Sequence, residues 1–373
     1  MAIKVKPEEV IRHEAVYSVG LDVSQRSTSI CVLDPTGKTV MEGQAKTNPF
    51  EIGRYLQKRM EGPLKLGMET GSLASWLYHG LRKMGLDVTV MDAVHAHRAL
   101  SLKRQKTDRN DAHGLAEMVR LGSDWMKAVH IKEQASQELR VQLAARARLV
   151  KQKIDLENEL CGLLKPFGLI VARGNVSADT FRDRVVDALC EAQDNGFHIR
   201  PLLMPLLDVH RLIAQHIAEA DARLEIVAKS EPICQRLMTV PGVGPVTALA
   251  FRATIDDPTR FKSASDVAVY LGLTPRRYQS GEQDYHGRIS KRGHSPTRLH
   301  LVQAATVLLI SVKRWSALKA WGVRLVNRIG FNKAKVAVAR KLATILYRIW
   351  RDQSEFRWGK ATMDPAASAA ATS

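Results

Sequence analysis
Apolar and polar positions run first in short β-like stretches and later in long helical ones. Val16 to Val23 is apolar and β-branched, and Ser27 to Leu33 repeats that character after a polar break at Ser24, Gln25 and Arg26. The spacing predicts two antiparallel strands joined by a short turn. Lys38 to Lys46 reads as a third strand, with Gly37 in the turn before it. Pro49 to Met60 has helical spacing, Leu64 to Met68 is a short strand running into Glu69, and Leu73 to Met84 is an amphipathic helix closed near Gly85. Asp87 to Met91 reads as another strand, and His95 to Leu102 and Asn110 to Leu121 as helices. Three sequential strands followed by alternation predict a mixed sheet flanked by helices.

From Lys132 to Leu164 the pattern is long, charged and helical, with Leu139, Leu143, Leu149 and Ile154 set among Arg, Lys and Glu, until Pro166 and Gly168 end it. Residues 170–230 hold more helical pattern, including Leu212 to Val227. With imperfect heptads, this stretch suggests a coiled-coil hairpin. Leu237 to Thr254 opens a third unit, Phe261 to Leu273 is mainly helical, and Thr297 to Ile310 and Lys333 to Trp350 are helices. Between them Thr274 to Gly293 is polar, glycine-containing and basic. The fold class expected is α/β plus α: residues 1–131 as a mixed-sheet domain, 132–230 as a helical arm, 231–360 as a mainly helical domain, and 361–373 as a disordered tail. Residues 1–14 read as a loose polar lead-in.

Composition narrows the function. Of 373 residues, 56 are Lys or Arg and 38 are Asp or Glu, a net charge of +18. Such an excess favours a polyanionic partner, nucleic acid before a membrane surface. No run approaches the roughly 18 apolar residues of a membrane span. The start, MAIKVKPEEVIRHEA, lacks the apolar core of a signal peptide, so a cytoplasmic location is expected. Cys31, Cys161, Cys190 and Cys234 are far apart and form no CxxC, so they read as reduced core residues. His95 and His97 have no cysteine nearby with which to form a zinc site.

Three constellations could carry chemistry. Asp22 lies inside an apolar strand, a costly place for a carboxylate without a cation or donors. Glu69 ends the fourth strand, and Asp108 and Asp111 open a helix in KTDRNDA, three apart and so on one face. Four convergent carboxylates repel unless hard cations lie between them, and Mg²⁺ prefers such oxygen ligands and bridges to phosphate. Each acid also has a plain structural role open to it: Asp108 as a helix cap in an aspartate capping box, Glu69 as a turn residue. Next, VPGVGP lies between two apolar helical stretches. Gly242 and Gly244 there permit tight backbone whose amides suit a phosphate, as in a helix-hairpin-helix motif, or simply a helix-helix turn. Third, Thr274 to Arg298 gathers Arg276, Arg277, Arg288, Lys291, Arg292 and Arg298 around Tyr278 and Tyr285. Arg clusters suit phosphate gripping. Ser280 sits among them and is either a turn residue before Gly281 or a nucleophile on phosphorus.

GLDVSQ, METG, KTDRNDA, TVPGVGP, YLGLTPRRYQSG, GRISKRGH and VAVARKLATILY stand in this order. The ordered set, from about Tyr17 to about Trp350, resembles family 110 insertion-sequence transposases, the DEDD transposases with a RuvC-like domain. The resemblance implies an RNase H-like (RuvC-like) domain, a coiled-coil arm and a helical transposase domain. It implies Asp22, Glu69, Asp108 and Asp111 as a Mg²⁺-binding tetrad and Ser280 as nucleophile through a transient 5′-phosphoserine. It further implies donor and target DNA, and a structured bridge RNA that pairs with both. The stretch from Pro166 to Leu212 is long for that arm, and the tail is poorly matched. An arm that pairs chains, and two duplexes to exchange, predict a dimer or tetramer working at the nucleoid. Competing readings are a junction nuclease using the same acids without a covalent intermediate, and a non-catalytic nucleic-acid-binding protein. GLDVSQRSTSICVLD also resembles the phosphate hairpin of sugar-kinase-like ATPases, but no second phosphate loop or adenosine loop accompanies it.

Overall fold
A computed structural model of the chain describes residues 16–101, 107–122, 125–172, 174, 176–280 and 283–358; for 277–280, 283, 284 and 286 it describes the backbone alone. The lead-in expected over 1–14 and the tail expected over 361–373 lie outside the described residues. The chain divides into two compact units, Met1–Lys132 and Glu133–Ser373.

In the first unit β1 (Tyr17–Val23), β2 (Ser27–Leu33), β3 (Thr39–Lys46), β4 (Leu64–Glu69) and β5 (Asp87–Met91) form one sheet in the order β3-β2-β1-β4-β5. β1 runs antiparallel to β2 and parallel to β4. The helices are α1 (Pro49–Gln57), α2 (Ala74–Lys83), α3 (Ala93–Leu100) and α4 (Asp108–Leu121). Strand alternation gives the sheet two faces. Val19, Leu21, Leu66, Met68, Val88 and Val90 pack with Ile52 and Leu56 of α1 and Leu77 and Leu81 of α2. On the opposite face Cys31 and Leu33 meet Ala112 and Ala116 of α4.

Two strand glycines let α4 lie this close. A Cβ on Gly20 would stand 1.9 Å from the Ala112 carbonyl oxygen and 2.4 Å from the Ala116 nitrogen, and one on Gly67 would stand 2.3 Å from Val119 Cγ2. Glycine inside a strand marks such a close approach.

In the second unit α5 (Gln134–Leu164) and α7 (Arg200–Ser230), each 31 residues, pack along one another. They run in opposite directions: Arg146 pairs with Asp221 at 2.5 Å, and Glu157 Oε1 accepts from His210 Nε2 at 3.1 Å. At about 1.5 Å rise per residue each helix is roughly 46 Å long. α6 (Ala178–Asp194) packs at the far end, where Phe181, Val185 and Leu189 join Leu160, Leu164, Leu203 and Leu207 in a core of their own. The sequence stretch between Pro166 and Leu212, long for a plain hairpin, is thus spent on α6 and on the start of α7. α7 also contains Pro205, which has no amide to donate inside the helix; the flanking Leu203 and Leu207 are buried in that far core.

The remaining elements are α8 (Pro232–Met238), α9 (Pro245–Ile255), α10 (Ala264–Tyr270), β6 (Pro275–Ser280), β7 (Gln283–Ile289), α11 (Ser295–Ile310), α12 (Ala317–Ile329) and α13 (Phe331–Arg351). Leu139 of α5 and Leu224 and Ala228 of α7 share one core with Phe251, Leu301, Leu342 and Tyr347. The near ends of the arm therefore belong to the same core as the helices that sequence assigns to a separate domain. β6 and β7 form an antiparallel hairpin where the sequence predicts only a polar basic segment. No described helix is long and apolar enough to cross a membrane.

Candidate functional site
Register decides which acids meet. β1 and β4 run parallel with Gly20 opposite Gly67 and Leu21 opposite Met68, so Asp22 and Glu69 occupy the next step, side by side at the C-terminal ends of both strands. Neighbouring strands lie about 4.8 Å apart. Alternation from Gly20 and Gly67 turns both acids to the face that α4 covers. Both are half-buried, and with Ser24, Gln25 and Thr70 they line a cleft of about 180 Å³. The cleft wall is tied down from β5: Thr70 donates its amide to the Met91 carbonyl at 2.8 Å, and its hydroxyl accepts from the Ala93 amide at 3.1 Å.

α4 runs against the direction of β1. Its C-terminal part reaches Gly37 in the β2–β3 turn through Arg120, while Ala112 sits on Gly20. Its first turn, with Asp108 exposed and Asp111 half-buried, therefore lies toward the end of the sheet that carries Asp22 and Glu69. The helix cap is Thr107, whose hydroxyl accepts from the Asn110 amide at 3.2 Å. This corrects the capping-box alternative for Asp108: the chain already has its cap one residue earlier, and both aspartates stand inside the helix. Arg109 between them pairs with Glu42 of β3, and that hydrogen bond and charge push the Arg109 pKa further up. Sequence reading missed this pair, because nothing local links positions so far apart.

The site joins Asp22 to Glu69 in one cleft; among the described residues no three His, Cys, Asp or Glu are gathered as a ligand cluster. The donor chemistry, carboxylate oxygen with no sulfur or imidazole, fits a hard divalent cation.

The glycines of VPGVGP have different surroundings. Gly242, at φ 88°, is pressed against α11: a Cβ there would stand 2.4 Å from the Ala304 carbonyl oxygen. This contact packs the turn against α11. Gly244 is exposed at the start of α9, and a Cβ there would meet nothing within 4 Å.

The basic segment forms the β6–β7 hairpin, with Tyr278 opposite Tyr285 and Ser280 opposite Gln283. Ser280 is the last residue of β6; its side chain and that of Arg277 lie outside the described residues, as does Gly281. Arg276, Arg288, Lys291 and Arg292 are all exposed. The hairpin base is clamped by two close approaches. A Cβ on Gly272 would stand 2.0 Å from the Arg292 carbonyl oxygen, and one on Gly293 would stand 1.9 Å from that of Tyr270. Arg298 donates to the Leu271 carbonyl at 3.0 Å and braces the same corner.

Comparison with known proteins bears on this arrangement. Residues 19–168 match a DEDD-type transposase family model, and residues 234–320 match the Transposase IS116/IS110/IS902 family. The chain is 31% identical over 346 residues to the transposase for insertion sequence element IS1111A of Coxiella burnetii, covering 91% of each chain. It is 28% identical to a probable family 20 transposase of Pseudomonas aeruginosa, over 91% of this chain and 98% of the relative. A shorter match, 32% identical over 123 residues, is to the pilin gene-inverting protein of Moraxella lacunata, covering 32% of this chain and 37% of that one.

Proposed function
The chain belongs to the IS116/IS110/IS902 family of transposases, enzymes that recombine DNA, and from that premise we propose how its residues divide the work. The first unit is an RNase H-like domain whose Asp22, Glu69, Asp108 and Asp111 hold a divalent cation, Mg²⁺ by its oxygen donors. The single observation that supports this reading is the register that sets Asp22 beside Glu69 in one cleft, at the end of the sheet toward which the first turn of α4 lies. Bound there, such a cation would supply charge neutralisation at the scissile phosphate. The Asp22 and Glu69 carboxylates would hold that cation; Thr107 caps and Arg109 anchors the turn that presents Asp108 and Asp111.

Ser280 is the nucleophile. Its Oγ forms a bond to phosphorus, the bond from phosphorus to the 3′ oxygen breaks, and the strand is left with a free 3′ hydroxyl and a 5′-phosphoserine. The serine proton leaves as the 3′ oxygen gains one. A 3′ hydroxyl from the partner strand then attacks the same phosphorus and releases Ser280. Arg276 of β6 and Arg288 of β7 are candidates to offset the charge that develops on the phosphoryl oxygens, with Arg277 as a further candidate. Gly244, Lys291 and Arg292 grip backbone phosphates. The relative named for gene inversion is in keeping with strand exchange rather than simple cutting. A structured RNA selects the sequences, since pairing can supply choice while protein holds backbone; the +18 charge suits that load.

Asp22→Asn or Glu69→Gln is expected to abolish strand cleavage while leaving DNA binding intact, because phosphate affinity resides in Lys and Arg. Ser280→Ala is expected to form no covalent protein–DNA adduct on a denaturing gel with labelled DNA. Cleavage by wild type with no adduct would transfer the reading to a hydrolytic nuclease. Equal recombination by RNA-free protein would remove the RNA from it.

A further inference from the structure
Resting on the reading of this chain as a nucleic-acid enzyme, we propose that a groove between α10, α12 and α13 binds a single-stranded segment of nucleic acid. Phosphates would lie on Arg340, Lys341 and Arg348, and an unstacked base against Trp321. The groove has a volume of about 490 Å³ and is lined by these four residues with Ser263 and Thr344. That volume lies within the roughly 300–1,000 Å³ of sites that enclose small ligands, enough for an unstacked nucleotide.

The groove follows from the pattern of α13. Positions 340, 341, 344 and 348 fall on one stripe, and Val338, Leu342, Leu346 and Ile349 on another that is buried in the core. The core stripe fixes the rotation of the helix and so aims the cationic stripe outward. Arg340, Lys341 and Arg348 are exposed, and none forms an ion pair with a described residue. No acid lines the groove. The nearest on α10, Asp266, is already occupied in a capping box with Ser263, accepting from its amide at 2.9 Å. Unpaired cations without acids attract phosphate, and Arg offers a fork matched to its oxygens.

Trp321 selects for single strands. The indole is half-buried on α12 at the groove wall. A base in a duplex is stacked on its neighbours, whereas an unpaired base has a free face for an aromatic ring. From Arg340 to Arg348 the helix rises about 12 Å, a span of a few backbone phosphates.

The test uses full-length protein in chelator, so that no cleavage contributes, with labelled oligothymidine, oligouridine and a DNA duplex as probes. The triple variant Arg340→Gln, Lys341→Gln, Arg348→Gln changes only exposed side chains. It should lose on the order of tenfold affinity for at least one single-stranded probe, with its salt slope reduced by roughly two. Trp321→Ala should lose about fivefold or more on that probe, and Trp321→Phe should retain most of the binding. Whether thymidine, uridine or both respond identifies the strand held there. Unchanged single-strand affinity and slope in the triple variant would overturn the proposal. So would an equal loss on duplex, which would make the groove a general phosphate patch. Neither result touches cleavage by the carboxylates and Ser280, which is read separately through the adduct.

Discussion

At the scale of residues, Gly20 constrains the site most tightly. α4 reaches the acids only because β1 presents no side chain under Ala112 and Ala116. Gly20→Ala forces a carbon into two backbone atoms of a helix that cannot shift without leaving the sheet. It should cost about 3 kcal/mol in urea unfolding and lower cleavage with it. His300 offers a residue-level pH test. Burial holds its pKa below the ordinary 6.5, despite a partly offsetting hydrogen bond with Gln303, and nearby Arg146 adds to the depression. As pH falls below 6.5 the unfolded chain takes up this proton first, so stability is lost until the folded group also titrates. In His300→Gln the fall of Tm with pH below 6.5 should become shallower; an unchanged slope would mean that His300 does not couple to folding.

Elements decide what the glycines of VPGVGP are for. The sequence offers Gly242 and Gly244 as equivalent, but only Gly242 has left-handed backbone and lies against α11. Thermal unfolding should separate them: Gly242→Ala loses about 3 kcal/mol from strain and contact with Ala304. Gly244→Ala, open to solvent, should change stability by about 0.5 kcal/mol. Equal effects would mean that the turn relaxes away from α11. The β6–β7 hairpin teaches the same point about patterns. Its strands, PRRYQS and QDYHGRI, show no apolar alternation in the sequence to betray them, and they are fixed instead by pairing and by the Gly272 and Gly293 clamp at the base.

For the whole molecule, the proposed chemistry is divided along the chain. The four carboxylates belong to one compact unit and Ser280 to the other. If active sites form between chains, a mixture of Ser280→Ala and Asp108→Asn proteins, each inactive alone, should regain part of the cleavage. The measurement is cleavage by the mixture after co-assembly has been verified by co-purification of two differently tagged chains. No recovery would mean that each site is completed within one chain.

The sequence by itself determined the local elements and the chemical inventory. Strands β1 to β5 and helices α1, α2 and α4 follow from apolar periods that each short segment carries alone, and the Asp87–Met91 strand is bounded as its pattern predicts. The oddity of Asp22 in an apolar strand, the cationic excess and the ordered motifs were also visible there. Only the tertiary structure decided that Asp22 stands beside Glu69, because parallel pairing joins segments separated in the chain by two strands and a helix. It alone gave Gly242 to packing, carried α7 through Pro205, and brought Trp321 of one helix to the cations of another. Periodicity is a property of consecutive residues, whereas register, close approach and the shape of a groove arise when distant segments compete for the same core.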